Sequence, residues 1–355
     1  MLGFDRKAAR YTLTSVGVVL LLWLIFQVRS TLFIFILALL FAYLLSPLVD
    51  LLNRALPLRT RTPALALAYV IFVAVSAFVI MQVGATVAVQ ARAFQQDLPK
   101  RIARFEEPNP KLPESVNNFK TQLVQRVREQ LTEGAGDIMG TVAHAGLKFL
   151  TFAGELIYVV VIPILAFFFL KEGPTIRNNI LAMVEDGSRR ILLEDVFADI
   201  HLLLAHYMRA LVVLSVATFI AYSIFFALMG VPYGVLLSAI AAVLEFIPMI
   251  GPLSSGIAIV LVAALSHSHP LAVLVFLLVY RIFQDYVLQP YLMGQGVEVH
   301  PLLVIFGVFA GGEIAGIPGT FLSVPVIALV RILFLRIRKA RLAARLAAPP
   351  PTVAV

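Results

Sequence analysis

Cysteine is absent from the 355 residues, which excludes disulfides, thiolate metal sites and a cysteine nucleophile. Charge is scarce: 14% of residues are Asp, Glu, Lys or Arg, against about 25% in an ordinary soluble domain. Signatures of common chemistry are missing as well. No GxxxxGK loop cradles a nucleotide, no HExxH pair offers a zinc site, and no GxSxG elbow presents a serine. The six histidines are scattered; His267 and His269 flank Ser268 just before Pro270, a spacing that reads as a polar turn rather than a metal pair. No basic patch interleaved with aromatics points to nucleic acid. Catalytic residues, metals and cofactors are therefore not expected.

Apolar residues fill the gap: they make up 61% of the chain, and the mean hydropathy is +0.95. One soluble core could not hide that much apolar surface, so the excess belongs in lipid. The fold class is an all-α polytopic membrane protein whose first partner is the bilayer.

A helix needs about 20 apolar residues to cross the hydrocarbon. Eight stretches qualify: 11–28, 31–52, 63–91, 148–170, 210–229, 233–266, 270–288 and 302–335. The first follows Arg6, Lys7 and Arg10 and imitates a secretory signal. No small-residue cleavage site follows, so it reads as the first arm of an uncleaved helical hairpin with Trp23 and Gln27 near its outer end. Basic clusters set orientation. Arg6, Lys7 and Arg10, then Arg54, Arg59 and Arg61, then Arg336, Arg338, Lys339, Arg341 and Arg345 all fall on one side if there are eight crossings. That gives N-in and C-in, and it accounts for most of the net charge of +8. The stretch 233–266 is long and interrupted, and either crosses or re-enters.

These spans divide the chain. Residues 1–91 hold three helices, 148–170 a fourth, and 210–335 a C-terminal membrane core, with a basic, then Pro/Ala-rich tail at 336–355. Residues 92–147 form an extracytoplasmic amphipathic hairpin around the turn at 108–113. Phe94, Leu98, Ile102 and Phe105 share one helical face before the turn; Val116, Phe119, Leu123 and Val127 share one after it. Such a stripe must pack, on its own partner helix or on a neighbouring subunit. Residues 171–209 face the cytoplasm, with Leu193, Val196, Phe197, Ile200, Leu203, Leu204 and Tyr207 opposite Glu194, Asp195 and Asp199. This is an interfacial or coupling helix, or a surface helix packed on the bundle.

A charge at the bilayer centre costs at least ~2.5–3.5 kcal/mol, so each one asks for a reason. Glu155, Glu245, Arg281, Asp285 and Glu313 are in this position. Arg281, Asp285 and Gln289 follow one another at i+4 and should stack on one helix face. They are either an ion pair locking two helices or a gate lining a polar path. Glu245 and Glu313 each precede an Ile-Pro and a mid-span Gly. Pro248, Gly251 and Pro252 should unwind or kink the first of these helices, and Gly316, Pro318 and Gly319 the second. An acid at a broken helix is a common way to build a site at the membrane midplane. A straight helix followed by a broken one occurs twice, at 210–266 and 270–335, which suggests a weak internal repeat.

Taken together, FAYLLSPLVDLLNR at 41–54, AFFFLKEG at 166–173, HYMRA at 206–210, LMGVPYGVLLSAIAAVLEFIPMIGP at 228–252, RIFQDYVLQPYLMGQGVEVHPLLV at 281–304 and GGEIAGIPGTFLSVP at 311–325 resemble the autoinducer-2 exporter family of membrane transporters, the PerM-like permeases. The family pattern usually has Gly after the Tyr–Arg motif, where this chain has Ala210. The resemblance implies about eight membrane helices, export of small solutes such as autoinducer-2, and a homo-oligomer, a pentamer in the family. Some relatives are sodium(lithium)/proton antiporters. The path is expected to run past Glu245, Arg281, Asp285, Gln289 and Glu313, with Glu155, Gln284, His300, Tyr207 and Arg209 as secondary candidates. A non-transporting membrane scaffold is the rival from another class. An intramembrane aspartyl protease lacks its second Asp.

Overall fold

A computed structural model describes residues 6–56, 60–106, 156–184, 187–266, 268–293 and 300–347, with isolated positions between 114 and 125. Glu155, His267, the turn at 108–113 and the stripe residues Val116, Phe119, Leu123 and Val127 lie outside the described residues. Helices account for the ordered elements and no strand occurs among the described residues. Among the described residues, six helices carry runs long and apolar enough to cross a membrane by length and composition. The chain divides into two compact units, 1–65 with 153–174 and 66–152 with 175–355.

The first unit contains α1 (Arg6–Gln27), α2 (Arg29–Ala55), the start of α3 (Thr62–Val79) and most of α5 (Leu156–Ala182). The apolar run of α1 stays exposed along its length. In contrast, α2 buries Ala38, Leu40, Ala42, Leu45 and Val49. Phe35 meets Phe169 of α5 edge to face, with centroids 6.1 Å apart. Beyond α2, Arg61 donates to Asp50 at 2.7 Å and Ser46 donates to the other oxygen of that carboxylate at 3.2 Å. This ties the basic loop to the helix end.

The second unit is built around α6 (Ser188–Met229), whose 42 residues make a rod about 63 Å long. Its N-terminal third is charged and the rest apolar. It stops at Gly230, which takes a left-handed φ of 63° while Val231 N–H reaches back to the Phe226 carbonyl. Then α7 (Gly234–Leu244) runs back down α6: a Cβ on Gly234 would meet Phe226, and Ser215 donates to the Ala242 carbonyl at 2.7 Å. Next come α8 (Ile250–Leu265) and α9 (Pro270–Phe283). The latter also descends α6, with Phe276 on Phe225 and Tyr222, then Tyr280 on Tyr222.

Because only Ser266–His269 join α8 to the top of α9, α8 must climb back to where α7 began. The helix α4 (Ala85–Glu106) supports the same geometry from outside. It holds Tyr233 at the start of α7, through Phe94 and Asp97, and buries Leu265 at the end of α8 against Leu98 and Ile102. At about 17 and 24 Å, neither arm reaches the ~30 Å of a hydrocarbon core. The stretch 233–266 is thus a hairpin whose two arms open at the same end. The described half of the 92–147 stripe packs on that open end.

Past the short α10 (Gln289–Met293), the same reversal occurs in α11 (Pro301–Ala347), where Ala315 and Gly316 leave helical geometry, Gly316 at φ 62°. A Cβ on Gly311 would strike the Gly319 carbonyl, and one on Gly319 would strike the Gly311 carbonyl. Gly307 faces Ser323 and Ile327 in the same register. The arms 301–314 and 317–347 therefore lie antiparallel and almost touching. Arg336 on the return arm bonds Asp195 and Asp199 near the start of α6. This second hairpin opens at the end of α6 opposite the first. The two Gly/Pro-broken spans do more than kink: each doubles back on itself. Helix plus hairpin recurs, once in each direction.

Candidate functional site

Glu245 caps α7 at the tip of the first hairpin. The turn behind it is forced by sequence: Pro248 has no amide to donate, Met249 adopts φ 63°, and Gly251 fits under the Leu244 carbonyl where no Cβ has room. The backbone groups freed by the hairpin find side-chain partners. Ser215 satisfies the Ala242 carbonyl, and Gln90 of α4 accepts the Leu236 N–H at 2.9 Å.

The Glu245 side chain is 8% exposed. Gln284 donates to one carboxylate oxygen at 2.9 Å, and Thr218 makes a longer bond of 3.4 Å to the other. Thr218 also lies 3.1 Å from the Tyr280 hydroxyl. Two neutral groups from two elements thus bond one buried carboxylate, and the Tyr280 hydroxyl backs Thr218 from a third. Tyr222, Phe225, Phe226 and Phe276 pack around them in edge-to-face and stacked pairs.

Arg281 and Asp285 lie next along the chain. Arg281 donates to Asp285 at 2.9 Å, with side chains 35% and 36% exposed. One guanidinium nitrogen and one carboxylate oxygen of this pair remain buried without a partner. The helix changes here to a π-helical turn, Gln284–Leu288, and the Gln289 N–H bonds the Gln284 carbonyl. The expected i+4 stack of Arg281, Asp285 and Gln289 therefore holds for its first step only. The five-residue register places Gln289 over Gln284 instead. The same π turn begins with Gln284, fully buried and aimed at Glu245.

The remaining candidates scatter. Glu313 is exposed on the entering arm of the second hairpin, and no hydrogen bond joins it to Glu245 among the described residues. Pro318 is exposed, Pro252 half-buried, and Gly319 buried in the seam. Tyr207 is buried on α6 with its hydroxyl unpartnered, and Arg209 is exposed. His300 accepts the Leu302 N–H at 3.2 Å, so it caps α11. Among the described residues no three His, Asp or Glu gather as a metal site.

Sequence reasoning passed over Thr218, Tyr222 and Tyr280. It followed charges, whereas these polar groups sit at i and i+4 in an apolar run and opposite it. A hydroxyl in the apolar stretch VATFIAYS was the available signal.

The sequence pattern of the AI-2E family transporter matches residues 14–339. The relatives include YueF of Bacillus subtilis (strain 168), 24% identical over 83% of this chain and 81% of its own length. YrrI of the same organism is 23% identical over 89% of each chain. MT0215 of Mycobacterium tuberculosis (strain CDC 1551 / Oshkosh) is 27% identical over 91% of this chain and 88% of its own. All three are named as transport proteins. The chain covers 81–89% of the length of these three relatives, and the match takes in the first hairpin and the second as far as residue 339; it belongs to the AI-2E family of membrane transporters.

Proposed function

We propose that this chain is a secondary transporter or facilitator that exports a small solute, with autoinducer-2 as the candidate the family name supplies. One observation carries the reading: Glu245 sits at the tip of a hairpin that opens toward one end of α6, facing a second hairpin that opens toward the other. In a membrane both hairpins are re-entrant, and opening either one exposes the centre to one side only. This is the geometry of alternating access. Glu245 is the titrating or ion-holding group, Gln284 and Thr218 position it, and the Arg281–Asp285 pair lines the path. No catalytic residue is part of this reading.

The test is transport by the purified protein in liposomes. Glu245→Gln and Asp285→Asn should each lower solute flux at least tenfold, with gel filtration showing folded protein. Unchanged flux in both variants would remove the site assignment.

A second reading, cation/proton antiport, is favoured by the Thr218 and Tyr280 hydroxyls beside the Glu245 carboxylate, since hydroxyl and carboxylate oxygens suit hard cations. Addition of Na⁺ or Li⁺ to pyranine-loaded liposomes separates the two: cation-dependent proton movement supports antiport, and its absence removes it. In this proposal the termini and the basic clusters lie in the cytoplasm and the chain lies in the inner membrane, a reading supported by the clustering of Arg and Lys at 6–10, 54–61 and 336–345. The exposed run 10–27 of α1 supports a lipid-facing or subunit-facing role, and in this proposal the subunits form a pentamer.

A further inference from the structure

The tips of the two hairpins meet through one pair of rings. Phe246, the residue after Glu245, and Phe321, five residues past Gly316, have centroids 6.0 Å apart and planes inclined by 51°. Both rings are half-buried. They belong to hairpins that open in opposite directions, so their contact lies between the two open ends.

The two rings are held differently. Phe321 sits on the return arm, which Arg336 fastens to α6 through Asp195 and Asp199 and which the glycine seam presses against the entering arm. Phe246 sits in the turn after α7, where its N–H makes only a bond to the Val243 carbonyl at 3.2 Å. A side chain in a turn swings without unwinding a helix. An aromatic pair adds only a modest attraction beyond its buried area. That keeps a seal mostly closed while leaving it free to open thermally, as a gate requires.

We propose that Phe246 and Phe321 are the gate of the transport path, with Phe246 the moving ring and Phe321 the fixed one. This rests on the transporter reading above and names the residues that seal the path. A solute leaving the Glu245 site toward the far end parts this pair first. Ring removal opens a passive route.

The experiment needs no knowledge of the physiological solute. Protein is reconstituted in liposomes, and glycerol entry is followed by light scattering after a concentration jump. Phe246→Ala/Phe321→Ala should admit glycerol several-fold faster than the wild type, while Phe246→Leu/Phe321→Leu stays tight. An alanine pair as tight as the wild type, with unchanged elution and thermal unfolding, overturns the gate. Because the chain has no native cysteine, Phe246→Cys/Phe321→Cys carries just two thiols. That variant should leak; bridging the thiols with a short bis-methanethiosulfonate should reseal it, and a reductant should reopen it. Failure of the reagent to bridge the two positions, or glycerol entry indifferent to the bridge, also overturns the proposal. Passive glycerol entry does not use Glu245, so its outcome is separate from that of Glu245→Gln, which tests the transporter reading itself.

Discussion

Arg336 grips Asp199 with two parallel bonds, Nε to one carboxylate oxygen at 2.6 Å and Nη2 to the other at 2.9 Å, across 137 residues of chain. Its remaining nitrogen reaches Asp195, one turn earlier on α6, also at 2.6 Å. One guanidinium thus fastens the return arm of the second hairpin to the charged third of α6. The side chains are 28–48% exposed, so the pairs are screened by solvent. Arg336→Ala should lower the unfolding temperature only slightly. The fork geometry should matter more: Arg336→Lys cannot reproduce it and should behave nearly like alanine. Arg336→Asp combined with Asp199→Arg should recover part of the loss.

The charged third of α6 lies before its apolar run, and there Arg336 holds the Asp199 carboxyl below the usual carboxylate range by hydrogen bonding and charge. A depressed folded pKa contributes stability that is complete above the unfolded value, about 3.9, and fades as the pH falls through the folded value. The gap in unfolding temperature between wild type and Arg336→Ala should therefore be constant from about pH 7 to 5 and close below about pH 4. Thermal melts in detergent across that range measure it. A gap that widens toward acid would contradict the assignment.

The glycines are ranked by what a methyl group would meet. At Gly311 and Gly319 it would strike the backbone of the opposite arm, and at Gly251 the Leu244 carbonyl. At Gly307 it meets chiefly the far end of Ile327, which can rotate away. At Gly256 nothing lies within 4 Å. Alanine at Gly311, Gly319 or Gly251 should cost about 3 kcal/mol or more, because backbone cannot retreat as a side chain can. Gly307→Ala should be mild, and Gly256→Ala neutral or stabilising by up to about 1 kcal/mol through helix propensity. Thermal stability of the five variants tests the order.

Residue chemistry along the chain made the apolar stretches, the charged segments and the two Gly/Pro breaks legible. It did not show that the breaks reverse the chain. Gly311 and Gly319 explain why: their meaning is a distance between two arms, and the seven intervening residues look the same in a kinked helix as in a hairpin. The Arg281–Asp285 pair was legible because i+4 spacing is local. The Gln289 position was not, since nothing in QDYVL announces a π turn. Thr218 and Tyr280 were missed because their value depends on a carboxylate delivered by another element.

Those two hydroxyls carry a separate expectation. Thr218→Val keeps the shape of the side chain and removes its bonds to Glu245 and Tyr280. Leaving a buried acceptor without its donor costs about 1–3 kcal/mol. The loss falls on Glu245, so the pH dependence of transport should shift while expression and oligomer size remain. Tyr280→Phe removes only the far hydroxyl and should shift the profile less. Equal, pH-independent losses in both variants would make these residues packing elements alone.

The open end of the first hairpin is fixed by α4, and loosening it should expose a defined segment. The Tyr233 hydroxyl donates to Asp97 at 2.7 Å, its ring packs edge to face on Phe94 at 5.2 Å, and Arg101 lies 5.4 Å over that ring. Below, Leu98 and Ile102 enclose Leu265. Tyr233 itself sits at φ 59°, an unfavourable region for a bulky residue, so the contacts must outweigh the strain. Ile102→Ala removes buried methyl groups and should cost about 2–5 kcal/mol locally. Tyr233→Phe removes only the bond to Asp97 and should cost about 1 kcal/mol. Hydrogen exchange on the detergent-solubilised protein should then speed up at 234–244 and 250–265 together, with Ile102→Ala the larger effect, while 317–336 stays protected. Faster exchange spread evenly over α6 and both hairpins would mean that α4 stabilises the whole unit rather than clamping one hairpin.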